Sequence, residues 1–124
     1  MNVVLWVVAA LLAGAFLAAG AMKLLQPKGK LIESGMGWAA DYSDTQVKLI
    51  GAVEVLGALG LILPAALDIA PVLTPLAAAG LFVTMVGAVV VHLRRGETGG
   101  AVPGVVLGLL ALFVAVMRFG PNSF

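Results

Sequence analysis

Cysteine is absent from the 124 residues, which removes disulfides, thiol redox chemistry and Cys-ligated clusters together. Histidine occurs once, at position 92, too few for a transition-metal cage built from protein ligands alone. Charge is scarce as well: seven Lys and Arg and six Asp and Glu make up 10% of the chain, for a net charge of +1. The basic residues stand at the ends of apolar runs and form no stripe, so a nucleic-acid partner is excluded. What remains is 62% hydrophobic, far too apolar for a soluble domain of this length. The sequence is that of an integral membrane protein, with room for about four spanning helices of roughly 20 residues each and none for a separate soluble catalytic domain.

Four uncharged or nearly uncharged stretches define a single transmembrane domain over 1–124, with spans expected at about 3–25, 46–66, 70–93 and 101–118. The first lacks the basic start of a cleaved signal peptide and is read as retained. Its small residues Ala10, Gly14 and Ala18 fall four apart, Ala19 and Gly20 lie on the turn preceding Lys23, and together they are expected to mark its packed face. Pro71 and Pro75 place the start of the third span close to Pro71. Gly99-Gly100 is read as the turn before the fourth span, where Gly104, Gly108, Ala111 and Ala115 form a small-residue face for packing within the bundle or between protomers. Short turns make consecutive spans antiparallel. The expected fold is all-α, a four-transmembrane-helix up-and-down bundle.

Between the first two spans, residues 26–48 mix Lys28, Lys30, Glu33, Asp41, Asp44 and Lys48 with Leu31, Ile32, Met36, Trp38 and Tyr42. That composition suits an interfacial helix with its aromatics at headgroup depth, with a solvated loop as the alternative. The basic residues are biased to the side of the first and third connections, leaving Arg118 alone on the other; the bias puts both termini outside.

One acid lies inside the apolar runs. Glu54 is flanked at helical spacing by Ile50, Gly51, Gly57 and Ala58, a face cleared of bulk that points it at another helix. An ionisable group at membrane depth costs roughly 2.5–3.5 kcal/mol on insertion scales and marks a functional site when a partner can be named. Lys23 closes the first span and His92 the third, both on the side of the membrane nearer Glu54. The backbones of Lys23 and Glu54 are offset by roughly 9 Å in depth, a gap that two side chains leaning toward each other can close. Glu54, Lys23 and His92 are therefore the candidate catalytic set, with Met85, Arg94 and Trp38 as candidate ligand contacts. Each has a structural alternative: a register-fixing ion pair for Glu54 and Lys23, a headgroup position for His92 and Trp38, a topology signal for Arg94, core filler for Met85.

The segments Ala19-Gly-Ala-Met-Lys23-Leu, Gly51-Ala-Val-Glu54-Val-Leu-Gly-Ala-Leu-Gly-Leu-Ile-Leu-Pro64 and Met85-Val-Gly-Ala88 running to His92-Leu-Arg-Arg-Gly96, with Arg118 after the fourth span, resemble the DoxX-like family of small four-helix membrane proteins. The resemblance, which covers nearly the whole chain, implies a membrane subunit or partner of redox enzymes, since the family is similar in name and lineage to a subunit of thiosulfate:quinone oxidoreductase. It implies a bacterial inner (plasma) membrane as the setting. With no cysteine and no flavin or nicotinamide fingerprint, electron transfer would require a lipid-soluble carrier such as a quinone, not covalently bound, or a docked redox partner protein. The expected function is thus binding of a quinone or other lipophilic small molecule, possession of an oxidoreductase activity being left open. The alternatives are a proton-coupled exporter similar in plan to the small multidrug resistance transporters, or an assembly protein packing into a larger complex or a homo-oligomer through the small face of the fourth span.

Overall fold

The computed structural model describes residues 1–124. Five α-helices follow in order: α1 Asn2–Leu25, α2 Lys28–Glu33, α3 Asp44–Ala66, α4 Leu73–Arg94 and α5 Thr98–Phe119, with a 3₁₀ turn Gly37–Asp41 between α2 and α3. α1, α3, α4 and α5 are each long and apolar enough to cross a membrane. Only 24 of the 124 residues are buried, and Leu11, Leu56, Val83 and Leu109 point outward with most of their surface uncovered. An apolar exterior of this kind is stable only in lipid.

The four long helices run up and down. α1 packs on α3, α3 on α4 and α4 on α5, while α5 meets α1 more lightly. Leu5, Leu12 and Phe16 of α1, Leu61 of α3, Leu81 of α4 and Val114 of α5 fill the centre. α3 begins at a capping box: the Gln46 N–H donates to Ser43 Oγ at 3.1 Å and the Ser43 N–H to Gln46 Oε1 at 2.9 Å, satisfying two of the backbone donors that a helix start leaves free. Lys48 Nζ donates to the Leu24 carbonyl at 3.2 Å and so covers the end of α1.

The small face of α5 lies within the bundle. Gly108, Ala111 and Ala115 are buried, and a Cβ on Gly108 would stand 3.2 Å from the Cβ of Met85 on α4. Gly108→Leu is therefore expected to cost about 1–3 kcal/mol by overpacking, with no offsetting hydrophobic gain because lipid is as apolar as leucine. Leu109, 60% exposed, should accept Phe. Thermal unfolding of both variants in detergent checks the pair: a lowered midpoint for Gly108→Leu alone is the expected result.

Two expectations are corrected. Of the small residues expected to pack, Gly20 does so, but Ala10, Gly14 and Ala18 are exposed, and nothing lies within 4 Å of a Cβ placed on Gly14; the packed face of α1 is Leu5, Ala9, Leu12, Phe16, Gly20 and Lys23. Large side chains of α1 fill the wide centre of the bundle, and on α1 close approach is needed only at Gly20, where it crosses α3. Gly99-Gly100 is not a turn but part of the first turn of α5. The reversal is made by Gly96 at φ +72°, and Gly100 instead lets α5 pass His92, whose Nδ1 would be 3.0 Å from an added Cβ. α4 starts at Leu73, close to Pro71, after a connection in which Asp68 and Ala70 take positive φ.

Candidate functional site

The site is built where α1 crosses α3. A Cβ on Gly20 would fall 2.7 Å from the Gly51 carbonyl oxygen, and one on Gly51 would fall 2.9 Å from the Gly20 carbonyl oxygen and 2.8 Å from Lys23 Cβ. The two backbones touch because neither residue has a side chain. Lys23 lies one turn beyond Gly20 and Glu54 one turn beyond Gly51, on opposite sides of the crossing in depth because the helices are antiparallel. Side chains on a helix tilt toward its N-terminus, so Lys23 and Glu54 lean toward each other across the gap. Lys23 Nζ reaches 2.6 Å from Glu54 Oε1.

Lys23 and Glu54 are 7% and 3% exposed. The contact is short, and Lys23 is the one ion-pair partner that Glu54 has. The pair is held by the attraction of two buried charges, and one cation leaves further acceptor sites on the carboxylate. Above the pair lies a lid. Leu31, Ala39 and Val47 form a small core of their own, with Met22, Trp38 and Tyr42 packed against it, and Lys28 Nζ donates to the Tyr42 carbonyl at 2.8 Å. The Trp38 ring stands 5.8 Å from Lys23 Nζ and edge-on to Tyr42 at 5.9 Å. The stretch 26–48 is thus an ordered cap on the α1–α3 end of the bundle, helical in part, and it is anchored to the α4–α5 turn by an ion pair between Asp41 and Arg95. The hydrogen bond to Asp41 is the chief reason the Arg95 pKa lies above its ordinary value; the anchor stays charged at physiological pH.

The remaining candidates are distributed around this pair. On α4, Ala77 faces Gly60 and Leu81 faces Gly57; continuing that register by one turn sets Met85 at the depth of Glu54, where Met85 also packs on Gly108. His92 lies two turns further along, about 10 Å nearer the membrane face. Its Nδ1 is 3.1 Å from Glu97 Oε1, and Arg95 Nε reaches the same oxygen at 3.3 Å. His92 thus belongs to a surface cluster with Arg95 and Glu97 and makes no contact with the Lys23–Glu54 pair. Arg94 is exposed and joins no ion pair. No three His, Asp or Glu side chains gather as a metal cage.

Trp38 was named from the sequence as a candidate ligand contact, but its place over Lys23 and a groove beside α3 were not foreseen. Trp38 was legible as a membrane-surface aromatic, but its position over Lys23 depends on the fold of the cap, for which no local spacing gives a signal. An apolar groove of about 380 Å³ lies between α3 and α4, lined by Val53, Gly57, Gly60, Leu76 and Leu81 among others but by neither Glu54 nor Lys23. Its floor could have been suspected from Gly57 and Gly60.

Four spanning helices around a buried ion pair define a small integral membrane protein of the four-helix bundle class. The family model described as DoxX-like matches residues 7–114, and the chain belongs to that family. No curated protein and no solved structure matches it.

Proposed function

We propose that the protein binds a lipophilic small molecule, a quinone or a molecule of similar chemistry, at the Lys23–Glu54 pair beneath Trp38, as a membrane subunit or partner of a redox enzyme in a bacterial inner membrane. The observation that supports this is a carboxylate buried in the bundle with Lys23 as its one partner, so that acceptor sites on Glu54 remain for a ligand. A buried carboxylate gains from each donor it accepts, and a ligand hydroxyl would add one to the contact with Lys23. The groove between α3 and α4 suits an apolar tail, and the Trp38 face suits a flat ring.

Reduction of a quinone takes up protons together with electrons, and the bilayer interior supplies neither. In this reading Glu54 gives and receives the proton, and Lys23 holds the site near neutrality while the carboxylate is charged. Met85 is the apolar wall at the same depth. His92, with Glu97, exchanges protons with water at the membrane face, about 10 Å from Glu54; the intervening distance calls for water. Electrons come from a redox protein docked at the face bearing the cap, where Arg94 is free to meet it. A cation exporter fits less well, because the acid such a transporter needs is already paired at 2.6 Å. An assembly role through the small face of α5 has lost its surface, since α4 covers that face.

Tryptophan fluorescence tests the proposal in protein reconstituted into vesicles. In a Trp6→Phe background, a short-chain quinone should quench Trp38 saturably, and Glu54→Gln should weaken the apparent affinity about tenfold, the equivalent of one hydrogen bond to a charged group. Quenching that rises linearly with quinone and is the same in Glu54→Gln would sink the proposal.

A further inference from the structure

A second polar side chain is buried at the opposite end of the bundle. Arg118, in the last turn of α5, is 5% exposed and forms no ion pair with any of the six acids of the chain. Its single hydrogen bond runs from Nη1 to the Asn122 carbonyl at 3.0 Å. The guanidinium lies 3.9 Å from the centre of the Phe124 ring and 6.0 Å from that of Trp6, and the two rings meet edge-on at 5.8 Å. Residues 120–124 fold back over the helix end to make this box. Aromatic faces compensate a desolvated cation only in part, and a guanidinium has five N–H donors in a planar fork suited to carboxylate and phosphate. Most of that fork is unused.

The fork opens on a cavity. About 330 Å³ of space lies beside it, lined by Pro71, Val72, Pro75, Phe119, Ser123 and Phe124 as well as Arg118. One cation and one hydroxyl face walls that are otherwise apolar. Close by in the chain, the Thr74 hydroxyl is buried and has no hydrogen-bond partner. Topology does not account for the arginine: the positive bias lies on the other side of the membrane, and a residue serving only as a charge signal stays in water.

We propose that this cavity binds a phosphate or carboxylate group through the Arg118 guanidinium, the apolar walls fitting it for the headgroup of an anionic amphiphile taken from the bilayer. The site is separate from the Lys23–Glu54 pair and does not depend on any ligand there. Ser123 supplies a further donor, and Phe119 and Val72, both exposed, flank the path by which acyl chains leave toward lipid.

The test compares the full-length protein in phosphatidylcholine nanodiscs with and without phosphatidylglycerol, read by native mass spectrometry of the retained lipid. Wild type should retain phosphatidylglycerol over phosphatidylcholine, and Arg118→Gln should lose about tenfold of that preference, with Arg118→Lys in between because it keeps charge without the fork. Val72→Trp, which fills the cavity from its exposed rim and leaves Arg118 in place, should lose retention with unchanged helicity, so misfolding of an Arg118 variant does not decide the matter. Inorganic phosphate is the second probe. Stabilisation of detergent-solubilised wild type by phosphate alone, absent in Arg118→Gln, would assign the site to free anions instead of headgroups. Equal retention of both lipids by wild type, together with no response to phosphate, would overturn the proposal and leave Arg118 as a structural cation in an aromatic box.

Discussion

Replacing Gly51 by Val is expected to part α1 from α3 and to leave little natively folded protein in mild detergent. The added Cβ would stand 2.8 Å from Lys23 Cβ and 2.9 Å from the Gly20 carbonyl oxygen. One of these is backbone and the other is the root of a side chain, so neither can swing away; the helices themselves must separate. Overpacking in a core costs about 1–3 kcal/mol where neighbours can adjust, and here the upper end or more is expected. Lipid offers no compensating gain for the extra methyl groups. Separation would also draw Lys23 away from Glu54, stranding two buried charges. Gly14→Val is the matched control, because its Cβ meets nothing within 4 Å. A circular-dichroism melt of the three proteins reads the difference: a large fall in midpoint for Gly51→Val and none for Gly14→Val is expected. Coincident melts would mean that the Gly20–Gly51 crossing does not hold the bundle together.

Lys23→Met is expected to destabilise by about 3–5 kcal/mol, since it leaves Glu54 buried at membrane depth without its cation. Glu54→Leu should cost a comparable amount by stranding Lys23, lessened to the extent that the long lysine stem can carry its ammonium outward past Trp38. The double variant Lys23→Met with Glu54→Leu removes both charges and substitutes apolar side chains of similar volume. It is expected to be at least as stable as the wild type, because desolvating two charges offsets most of what their attraction returns. The coupling energy of this cycle, measured by denaturant titration in detergent, should therefore be several times that of an exposed pair, which is typically below about 1 kcal/mol. Additive effects of the two single changes would contradict a direct contact at 2.6 Å. A double variant that is stable but inert toward ligand would show that the pair is kept for chemistry at no benefit to the fold.

The fold was legible because its signals are local. Uncharged runs set the four spans, and the few charges between them set the turns. Lys23 and Glu54 were legible for the same reason: a charge inside an apolar run stands out, and the lean of helical side chains predicts that a 9 Å offset between antiparallel neighbours closes. Illegible features depend on packing between distant segments. The stripe Ala10, Gly14 and Ala18 has the same spacing as Gly104, Gly108 and Ala111 to within a residue, yet one faces outward and the other inward; small size permits close approach without requiring it. His92 was expected near Glu54 because both lie toward one membrane face, but Glu97, five residues on, is within its reach once Gly96 turns the chain back. Arg118 was read from the sequence only as the lone basic residue on its side of the membrane, and its burial comes from Phe124 and Trp6 folding over it from opposite ends of the sequence.

Whether Glu54 exchanges a proton with a bound lipophile is decided most directly by infrared difference spectroscopy of reconstituted protein, recorded between the oxidised and reduced forms of an added short-chain quinone. Wild type should show a carboxyl band that appears or shifts with the state of the quinone, moves with deuterium exchange, and vanishes in Glu54→Gln while the bands of the remaining carboxyl groups persist. A difference spectrum in which no carboxyl band responds, or in which the band survives unchanged in Glu54→Gln, would contradict a ligand site at the Lys23–Glu54 pair and leave it a structural ion pair.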